Sequence, residues 1–134
     1  MAPNHILFPV TWQCNLTCKF CCSRNRNADI NIKDCLNLIR SKKNEVEWVY
    51  ITGGEPFLLG SNLINICEQL QSDGFKVGVT TNGTIDPLDI FDHIDRLGVS
   101  IDGDENYHDA YRGKGVFKKA VTLIKKLSLN VKQW

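Results

Sequence analysis

Apolar positions along the chain alternate between short runs and helical repeats. Residues 5–11 form an apolar run that predicts a first strand, with Pro9 confining it to a sheet edge or a bulge. The next apolar positions recur at helical spacing, so we expect one helix face from Ile32, Cys35, Leu36 and Ile39. Residues 48–51 then predict a second strand, which is closed by Gly53 and Gly54.

The same alternation continues in the second half of the chain. A second helix face is expected from Leu63, Ile66, Cys67 and Leu70. Gly74 marks the end of this helix, and residues 75–81 and 97–101 predict the third and fourth strands. Between these strands, Asp86 and Pro87 predict the start of a short helix, because proline suits the first helical turn.

The last predicted elements are a helix and the start of a strand. The apolar face of this helix is expected to contain Phe117, Ala120, Ile124 and Leu127. Residues 129–131 predict the beginning of a fifth strand. Strands that alternate with helices pair in parallel through right-handed crossovers. We therefore predict an α/β fold with a parallel sheet, a partial (β/α) barrel of about four βα units.

The length limits how much of such a barrel the chain can supply. A complete (β/α) barrel typically needs about 250 residues, whereas this chain has 134. We expect residues 1–134 to be one domain and the N-terminal portion of a larger core domain. Because a strand edge without a neighbour pairs readily, we also expect self-association or a completing partner chain.

Charge and hydropathy exclude several classes of partner. The chain carries 16 basic and 15 acidic residues, so it has no electrostatic footprint for nucleic acid or an anionic membrane. No apolar run approaches the roughly 20 residues that span a bilayer, and the first residues lack the pattern of a signal peptide. We therefore expect a cytoplasmic protein. Thiols stay reduced there, so six cysteines indicate metal binding or catalysis.

Three cysteines directly after the first predicted strand form the strongest motif. Cys14, Cys18 and Cys21 have a spacing that allows three thiolates to ligate three irons of a cubane [4Fe-4S] cluster. The fourth iron then has no protein ligand and can bind a small molecule. A structural zinc site is the alternative, with Cys22 as a fourth sulfur, although a neighbour of Cys21 points another way and such sites usually have a second ligand pair elsewhere. We expect packing roles for the remaining cysteines, Cys22, Cys35 and Cys67.

The cysteine spacing resembles that of the radical S-adenosylmethionine (SAM) superfamily, and a second motif strengthens the resemblance. Residues 52–56 read Thr-Gly-Gly-Glu-Pro and are similar to the GGEP-type loop of that family. There the loop binds the amino group of the methionine part of SAM, so the resemblance implies this role for Gly53, Gly54 and Glu55. Because glycine has no side chain, we expect a ligand to approach this backbone closely.

Other positions match the family near the ends of later strands. Asn82 lies in a Thr-Asn-Gly segment that family members often have near bound SAM. Ser100 and Asp102 lie in a Ser-Ile-Asp-Gly segment that resembles the family's contact with the ribose or carboxylate of SAM. Side chains alternate along a strand, which puts both residues on one side. Phe20 matches an aromatic residue placed against the adenine, and Arg112 either meets a carboxylate or lies on the surface.

The segment between Asp102 and the last predicted helix is expected to be a loop. Within it, His108 is expected to have a structural or solvated role. The Tyr-Arg-Gly segment at 111–113 most resembles radical SAM enzymes that mature peptides or cofactors. These are enzymes of the molybdenum cofactor biosynthesis protein A type and relatives that carry a cysteine-rich SPASM domain.

The resemblance implies an enzyme. In the family, a reduced [4Fe-4S] cluster passes one electron to SAM, which breaks into methionine and a 5′-deoxyadenosyl radical that abstracts hydrogen from a substrate. The implied partners are a reductant such as ferredoxin or flavodoxin and a peptide or small-molecule substrate. The alternative is a non-catalytic iron–sulfur or SAM-binding module, or one part of a split protein.

Overall fold

Helices and strands alternate in the structure, a computed structural model that describes residues 4–86 and 89–128. The elements follow in this order: β1 (His5–Thr11), α1 (Ile32–Ser41), β2 (Trp48–Gly53), α2 (Ser61–Ser72), β3 (Lys76–Thr81), β4 (Arg96–Val99), α3 (Glu105–Arg112) and α4 (Val116–Ser128). Two short 3-10 helices, Pro56–Leu59 and Phe91–His93, lie after β2 and before β4. The predicted α/β alternation is confirmed.

The four strands form one parallel sheet in the order β1-β2-β3-β4. The register of β1 against β2 shifts between Pro9 and Thr11, and β1 is an edge strand of the described sheet, which agrees with the edge or bulge predicted at the proline. Because all four strands run in the same direction, their carboxyl ends lie along one edge of the sheet. The segments that follow these ends, together with Gly53 as the last residue of β2, contain every residue predicted to bind a cluster or SAM except Arg112.

The hydrophobic core lies between one face of the sheet and helices α1 and α2. Strand residues on this face are almost fully buried: Val49, Ile51, Val77 and Val79. The helices contribute Leu36, Ile39, Leu63, Ile66, Cys67 and Leu70. Both predicted helix faces are therefore confirmed, with Cys35 and Ile32 only partly buried. Each large aliphatic side chain buried here contributes roughly 1.5–3 kcal/mol, and together they fix the strands that carry the site.

The opposite face of the sheet carries aromatic and cationic side chains at the strand starts. The rings of Trp48 and Tyr50 stack 5.5 Å apart. The Arg96 guanidinium lies 4.8 Å from the Trp48 ring centroid and donates a hydrogen bond of 3.0 Å to the Tyr50 hydroxyl. Gly78 leaves room for this arrangement, since a Cβ there would lie 2.4 Å from Tyr50 Cδ1. Cys14, Cys18 and Cys21 follow the other end of strand β1.

The predicted loop before the last helix is wrong, because residues 105–112 form helix α3. The Asp104 side chain caps this helix by accepting a hydrogen bond of 2.9 Å from the Tyr107 backbone N–H. Gly113 ends it with a φ of 126°. The helix has few apolar residues, and those that occur show no clear helical repeat. The sequence signals that could have indicated this helix are Asp104 at its start and Gly113 at its end.

The predicted apolar face of α4 is rotated relative to the observed one. The prediction was Phe117, Ala120, Ile124 and Leu127, whereas the buried residues are Val116, Ala120 and Leu123. Ile124 is 39% exposed. The reason is a close approach between α4 and the loop after β3: a Cβ at Gly83 would lie 2.9 Å from Ala120 Cα. Phe117 instead packs edge-on against His108, with ring centroids 5.7 Å apart.

Two predictions fall partly or wholly outside the described residues. The short helix expected to start at Asp86 and Pro87 and the fifth strand expected at 129–131 include residues that are not described, so both elements stay predictions. Strand β4 ends at Val99, so Ser100 and Asp102 follow the strand rather than lying within it. Within 4–86 and 89–128, no helix has the length and apolar character needed to cross a bilayer.

Candidate functional site

A cavity of about 460 Å³ opens at the carboxyl edge of the sheet. Most of the predicted site residues line it: Cys14, Cys18, Phe20, Cys21, Gly53, Gly54, Asn82, Ser100 and Arg112. Glu55 and Asp102 are not among the lining residues of the described chain. Another cavity, between residues 83–86 and α4, is lined by three lysines and contains none of the predicted ligands.

The three cysteines of the motif lie on a single loop between β1 and α1, which we call the cysteine loop (residues 12–24). Cys14 is exposed, Cys18 is buried and Cys21 is intermediate, and all are free thiols. Burial raises the pKa of Cys18, the nearby Arg112 guanidinium opposes this, and Cys14 and Cys21 add to it. Cys14 and Cys21 therefore lie close enough to Cys18 to affect the pKa of its thiol. Within 4–86 and 89–128, no group of three or more Cys, His, Asp or Glu is placed to hold a metal ion.

The remaining cysteines differ from one another. Cys67 is fully buried in the core and Cys35 is partly buried, as small hydrophobes are expected to be. The packing role expected for Cys22 is wrong: its side chain is exposed and lines the cavity. Because Cys22 directly follows Cys21 in a turn outside the hydrophobic core, it has no core to pack into.

Gly53 and Gly54 bring the cysteine loop against the end of β2. The Gly54 N–H donates to the Thr11 carbonyl at 2.6 Å, and the Glu55 N–H donates to the Gln13 carbonyl at 2.8 Å. A Cβ on Gly54 would lie 2.0 Å from the Gln13 oxygen. We expected these glycines to make room for a ligand. The structure shows that they also make room for the backbone that leads into Cys14.

The Glu55 carboxylate is fully buried and is bound by its own chain. One oxygen accepts hydrogen bonds from the Phe57 N–H at 3.1 Å and the Thr81 hydroxyl at 2.9 Å. The other accepts from the Asn82 N–H at 2.8 Å. Burial raises the pKa of Glu55, and these three donors oppose the rise. The side chain thus joins the ends of β2 and β3, and the site prediction for Glu55 did not anticipate this.

The Asn82 side chain contacts the cysteine loop. Its Nδ2 lies 2.9 Å from Asn15 Oδ1 and 3.8 Å from Cys14 Sγ. Its Oδ1 accepts hydrogen bonds from the Thr84 N–H and the Thr84 hydroxyl, at 3.0 and 2.6 Å. Sequence reasoning missed Asn15 and Thr84. Their positions in the sequence were the available signal, because Asn15 lies within the cysteine motif and Thr84 directly follows the Thr-Asn-Gly segment.

Helix α3 contacts the other half of the cysteine loop. The Lys19 N–H donates to the Tyr111 carbonyl at 2.9 Å. The Arg112 guanidinium lies 5.3 Å from the Phe20 ring centroid, and Phe20 itself is 54% exposed. Because Arg112 lines the cavity, it is a fixed cation beside the thiols.

Arg112 meets a carboxylate, as predicted, but that carboxylate belongs to the chain itself. Its guanidinium makes a two-pronged contact with Asp102, in which Nη2 lies 2.9 Å from Oδ1 and Nε donates to Oδ2. The hydrogen bond from Arg112 lowers the pKa of Asp102, and Asp102 raises the pKa of Arg112. Asp102 therefore orients Arg112, while Ser100 lines the cavity directly.

His108 supports this pair from the interior, as its predicted structural role requires. The imidazole is fully buried, and its Nδ1 accepts a hydrogen bond of 3.3 Å from the Asp102 N–H. The ring hydrogen then belongs on Nε2. That Nε2 has no hydrogen-bond partner within the described residues. The imidazole therefore fixes the backbone of Asp102 rather than opening onto the cavity.

Known proteins resemble this chain in both sequence and structure. A profile of the radical SAM superfamily matches residues 8–132. The chain is 31% identical to the mycofactocin maturase MftC of Mycolicibacterium smegmatis, covering 95% of this chain and 35% of that protein. It is 36% identical to a 7-carboxy-7-deazaguanine synthase of Rhodopirellula baltica, covering 60% of this chain and 32% of that protein.

Solved structures show the same fold. The crystal structure of Streptococcus suis SuiB bound to SAM matches with a TM-score of 0.77 and 23% identity, covering 95% of this chain and 32% of SuiB. SuiB bound to precursor peptide SuiA matches with a TM-score of 0.71 and 22% identity, covering 95% of this chain and 30% of SuiB. The chain spans about a third of the length of the curated relatives named above, which are 35% and 32% covered.

Proposed function

The chain belongs to the radical SAM superfamily, and on that premise we propose that Cys14, Cys18 and Cys21 hold a [4Fe-4S] cluster beside a SAM-binding cavity. One observation carries the proposal. Four free thiols from one loop line the same cavity as residues from the ends of β2, β3 and β4, and three of them are Cys14, Cys18 and Cys21. A volume of about 460 Å³ is within the range of small-molecule sites, roughly 300–1,000 Å³.

The donor set suits the cluster better than it suits zinc. Three thiolates would satisfy three irons and leave the fourth for a ligand. A structural zinc site requires four ligands around one ion, and the fourth thiol of this cavity, Cys22, is the direct neighbour of Cys21, which does not match the usual spacing of paired zinc ligands. A cluster supplies, when bound, the electron for reductive cleavage of SAM to methionine and a 5′-deoxyadenosyl radical. The Arg112 guanidinium favours the thiolate form of Cys18 against the effect of burial. The chain thus offsets part of the cost of holding anionic ligands.

The chain's own groups around the cavity are suited to orienting SAM. The Ser100 hydroxyl can bond the ribose or the carboxylate, and the half-exposed Phe20 ring offers a flat surface for the adenine. The backbone of Gly53 and Gly54 lines the cavity and can meet the amino group. The Glu55 carboxylate already accepts three hydrogen bonds, so we assign it to positioning Asn82.

For the substrate we propose a peptide. The named relative MftC is a maturase, and SuiB has been solved with a precursor peptide, although the likeness to SuiB supports the fold alone. A small molecule is the alternative, since the second relative is a synthase of a deazaguanine. We further propose that residues 1–134 are the N-terminal portion of a radical SAM core domain, because larger relatives are matched over about a third of their length.

The test is whether SAM changes the spectrum of the reduced cluster. We expect anaerobically reconstituted chain to show an altered electron paramagnetic resonance spectrum at saturating SAM. Ser100→Ala should require more SAM for the same change, and Ser72→Ala, on the exposed end of α2, should not. An unchanged wild-type spectrum would contradict the proposal. A changed spectrum without 5′-deoxyadenosine after dithionite reduction would identify a non-catalytic SAM-binding module.

A further inference from the structure

The environment of Cys14 differs from that of the other two candidate ligands. Its Sγ lies 3.4 Å from the Leu16 backbone N–H and 3.8 Å from the Asn82 amide nitrogen. Both distances lie within the range of hydrogen bonds to sulfur. In the described residues, neither Cys18 nor Cys21 accepts a hydrogen bond from a side chain. Within the described residues, Cys14 is thus the candidate ligand that receives a side-chain N–H.

The direction of the Asn82 amide is fixed by a closed ring of hydrogen bonds. Asn82 Nδ2 donates to Asn15 Oδ1 at 2.9 Å, and Asn15 Nδ2 donates to the Thr84 hydroxyl oxygen at 2.8 Å. That hydroxyl donates in turn to Asn82 Oδ1 at 2.6 Å. A flipped Asn82 would point its NH₂ group at the Thr84 N–H, donor against donor. The N–H groups of Asn82 must therefore face Cys14 and Asn15.

The backbone of Asn82 is fixed as well. Its N–H donates to the buried Glu55 carboxylate at 2.8 Å, and the residue is only 7% exposed. Because the amide has little freedom to reorient, its N–H dipole stays on the sulfur whichever charge the sulfur carries. Fixed dipoles of this kind stabilise negative charge without needing to rearrange.

We propose that Asn82 is a positioning residue that raises the reduction potential of the cluster through its N–H to Cys14 Sγ. The inference rests on the proposed function, since it requires a cluster on Cys14. Hydrogen bonds to cluster sulfurs are among the factors that set iron–sulfur potentials. Adding an electron makes the sulfur more negative, so an N–H donor stabilises the reduced form more than the oxidised form. Removing that donor makes the cluster harder to reduce.

The experiment compares Asn82→Ala with Asn15→Ala in the reconstituted chain. Asn82→Ala removes the N–H to sulfur. Asn15→Ala breaks the same ring but leaves the Asn82 amide beside Cys14. Iron content is measured first, and the potential is then measured by a redox titration followed by electron paramagnetic resonance. We expect Asn82→Ala to keep its iron and to lower the reduced-to-oxidised ratio at a fixed applied potential at least threefold, about 28 mV for one electron. The reduction potential should shift less in Asn15→Ala than in Asn82→Ala.

Two results would overturn the proposal: an Asn82→Ala potential equal to that of the wild type, or an equal shift in Asn15→Ala. If Asn82→Ala loads no iron while the wild type does, Asn82→Ser decides, because its hydroxyl oxygen can still accept the Thr84 N–H while no amide N–H faces Cys14. A shift of the Asn82→Ser cluster to more negative potential supports the role, and an unshifted potential refutes it. A wild-type chain that binds no iron refutes the proposed function itself, which is a separate outcome.

Discussion

The two halves of the cysteine loop are held in different ways. The first half, around Cys14, is bound by backbone and amide hydrogen bonds from the ends of β2 and β3, and Glu55 is fully buried behind them. The second half, around Cys18 and Phe20, is contacted by α3 through one backbone hydrogen bond, ring contacts and the cation Arg112. One half is fixed by the sheet, the other by a helix from much later in the chain.

This difference predicts unequal sensitivity to substitution. Buried hydrogen bonds to a charged group contribute roughly 1.5–3 kcal/mol each, because a donor that loses its partner is left unsatisfied. Partly exposed ion pairs contribute roughly 0.2–1 kcal/mol, since water replaces the lost partner. We therefore expect substitutions on the sheet side to cost more stability than substitutions on the α3 side.

Gly54→Ala should have the largest effect. The new Cβ would lie 2.0 Å from the Gln13 carbonyl oxygen, which is backbone and cannot rotate away. We expect a loss of about 3 kcal/mol in the free energy of unfolding, measured by urea denaturation under anaerobic conditions, together with reduced iron loading. Gly98→Ala is the matched control, because its nearest neighbour would be 3.6 Å away. Its cost should stay within about 0.5 kcal/mol, and equal costs for the two variants would contradict this account of Gly54.

Glu55→Gln should have the next largest effect, with a pH dependence of known sign. The amide group of Gln leaves one buried donor facing another, so we expect the free energy of unfolding to fall by about 1–3 kcal/mol at neutral pH. The control is the exposed Glu45→Gln, for which the free energy of unfolding should change by no more than about 0.5 kcal/mol.

Burial raises the pKa of Glu55 above 4.5, so the folded state takes up a proton before the unfolded state does. This residue therefore adds stability as the pH falls through its folded pKa, and the gain is complete below 4.5. The stability advantage of wild type over Glu55→Gln should widen between neutral pH and pH 4.5. A narrowing gap would show that the carboxylate is favoured by its donors more than it is penalised by burial.

The Asp102–Arg112 pair should show the smallest effect. The two side chains are 23% and 13% exposed, so a double-mutant cycle with Asp102→Asn and Arg112→Gln should give a coupling energy of about 1 kcal/mol. The pair Lys42–Glu45 is 46% and 67% exposed and should give at most about 0.5 kcal/mol. A coupling in the first pair larger than the cost of Gly54→Ala would reverse the proposed ranking of the two halves.

Much of the site could be predicted because its parts are local in sequence. Periodicity places each β-strand, and parallel strands bring their carboxyl ends to one edge, so residues after each strand meet. Cys14, Gly54, Asn82 and Ser100 were found in this way, and the structure places all four around one cavity.

The parts that could not be predicted depend on contacts between distant segments. The partners of Glu55 and the ring formed by Asn15, Asn82 and Thr84 exist only after β1, β2 and β3 align. Helix α3 has a strong polar character, so apolar periodicity gave no signal for it. The phase of α4 depends on the approach of Ala120 to Gly83, which is a property of packing rather than of the pattern.

The most direct measurement is the anaerobic metal and sulfide content of the chain and its single cysteine variants. The account predicts about four irons per wild-type chain with matching sulfide, and the same for Cys22→Ala, Cys35→Ala and Cys67→Ala. Iron should be absent from Cys14→Ala, Cys18→Ala and Cys21→Ala, because each variant lacks one ligand of the cluster. Stoichiometric zinc without iron-dependent absorbance, or loss of iron in Cys22→Ala equal to that in Cys14→Ala, would contradict the claim that these three thiols hold the cluster.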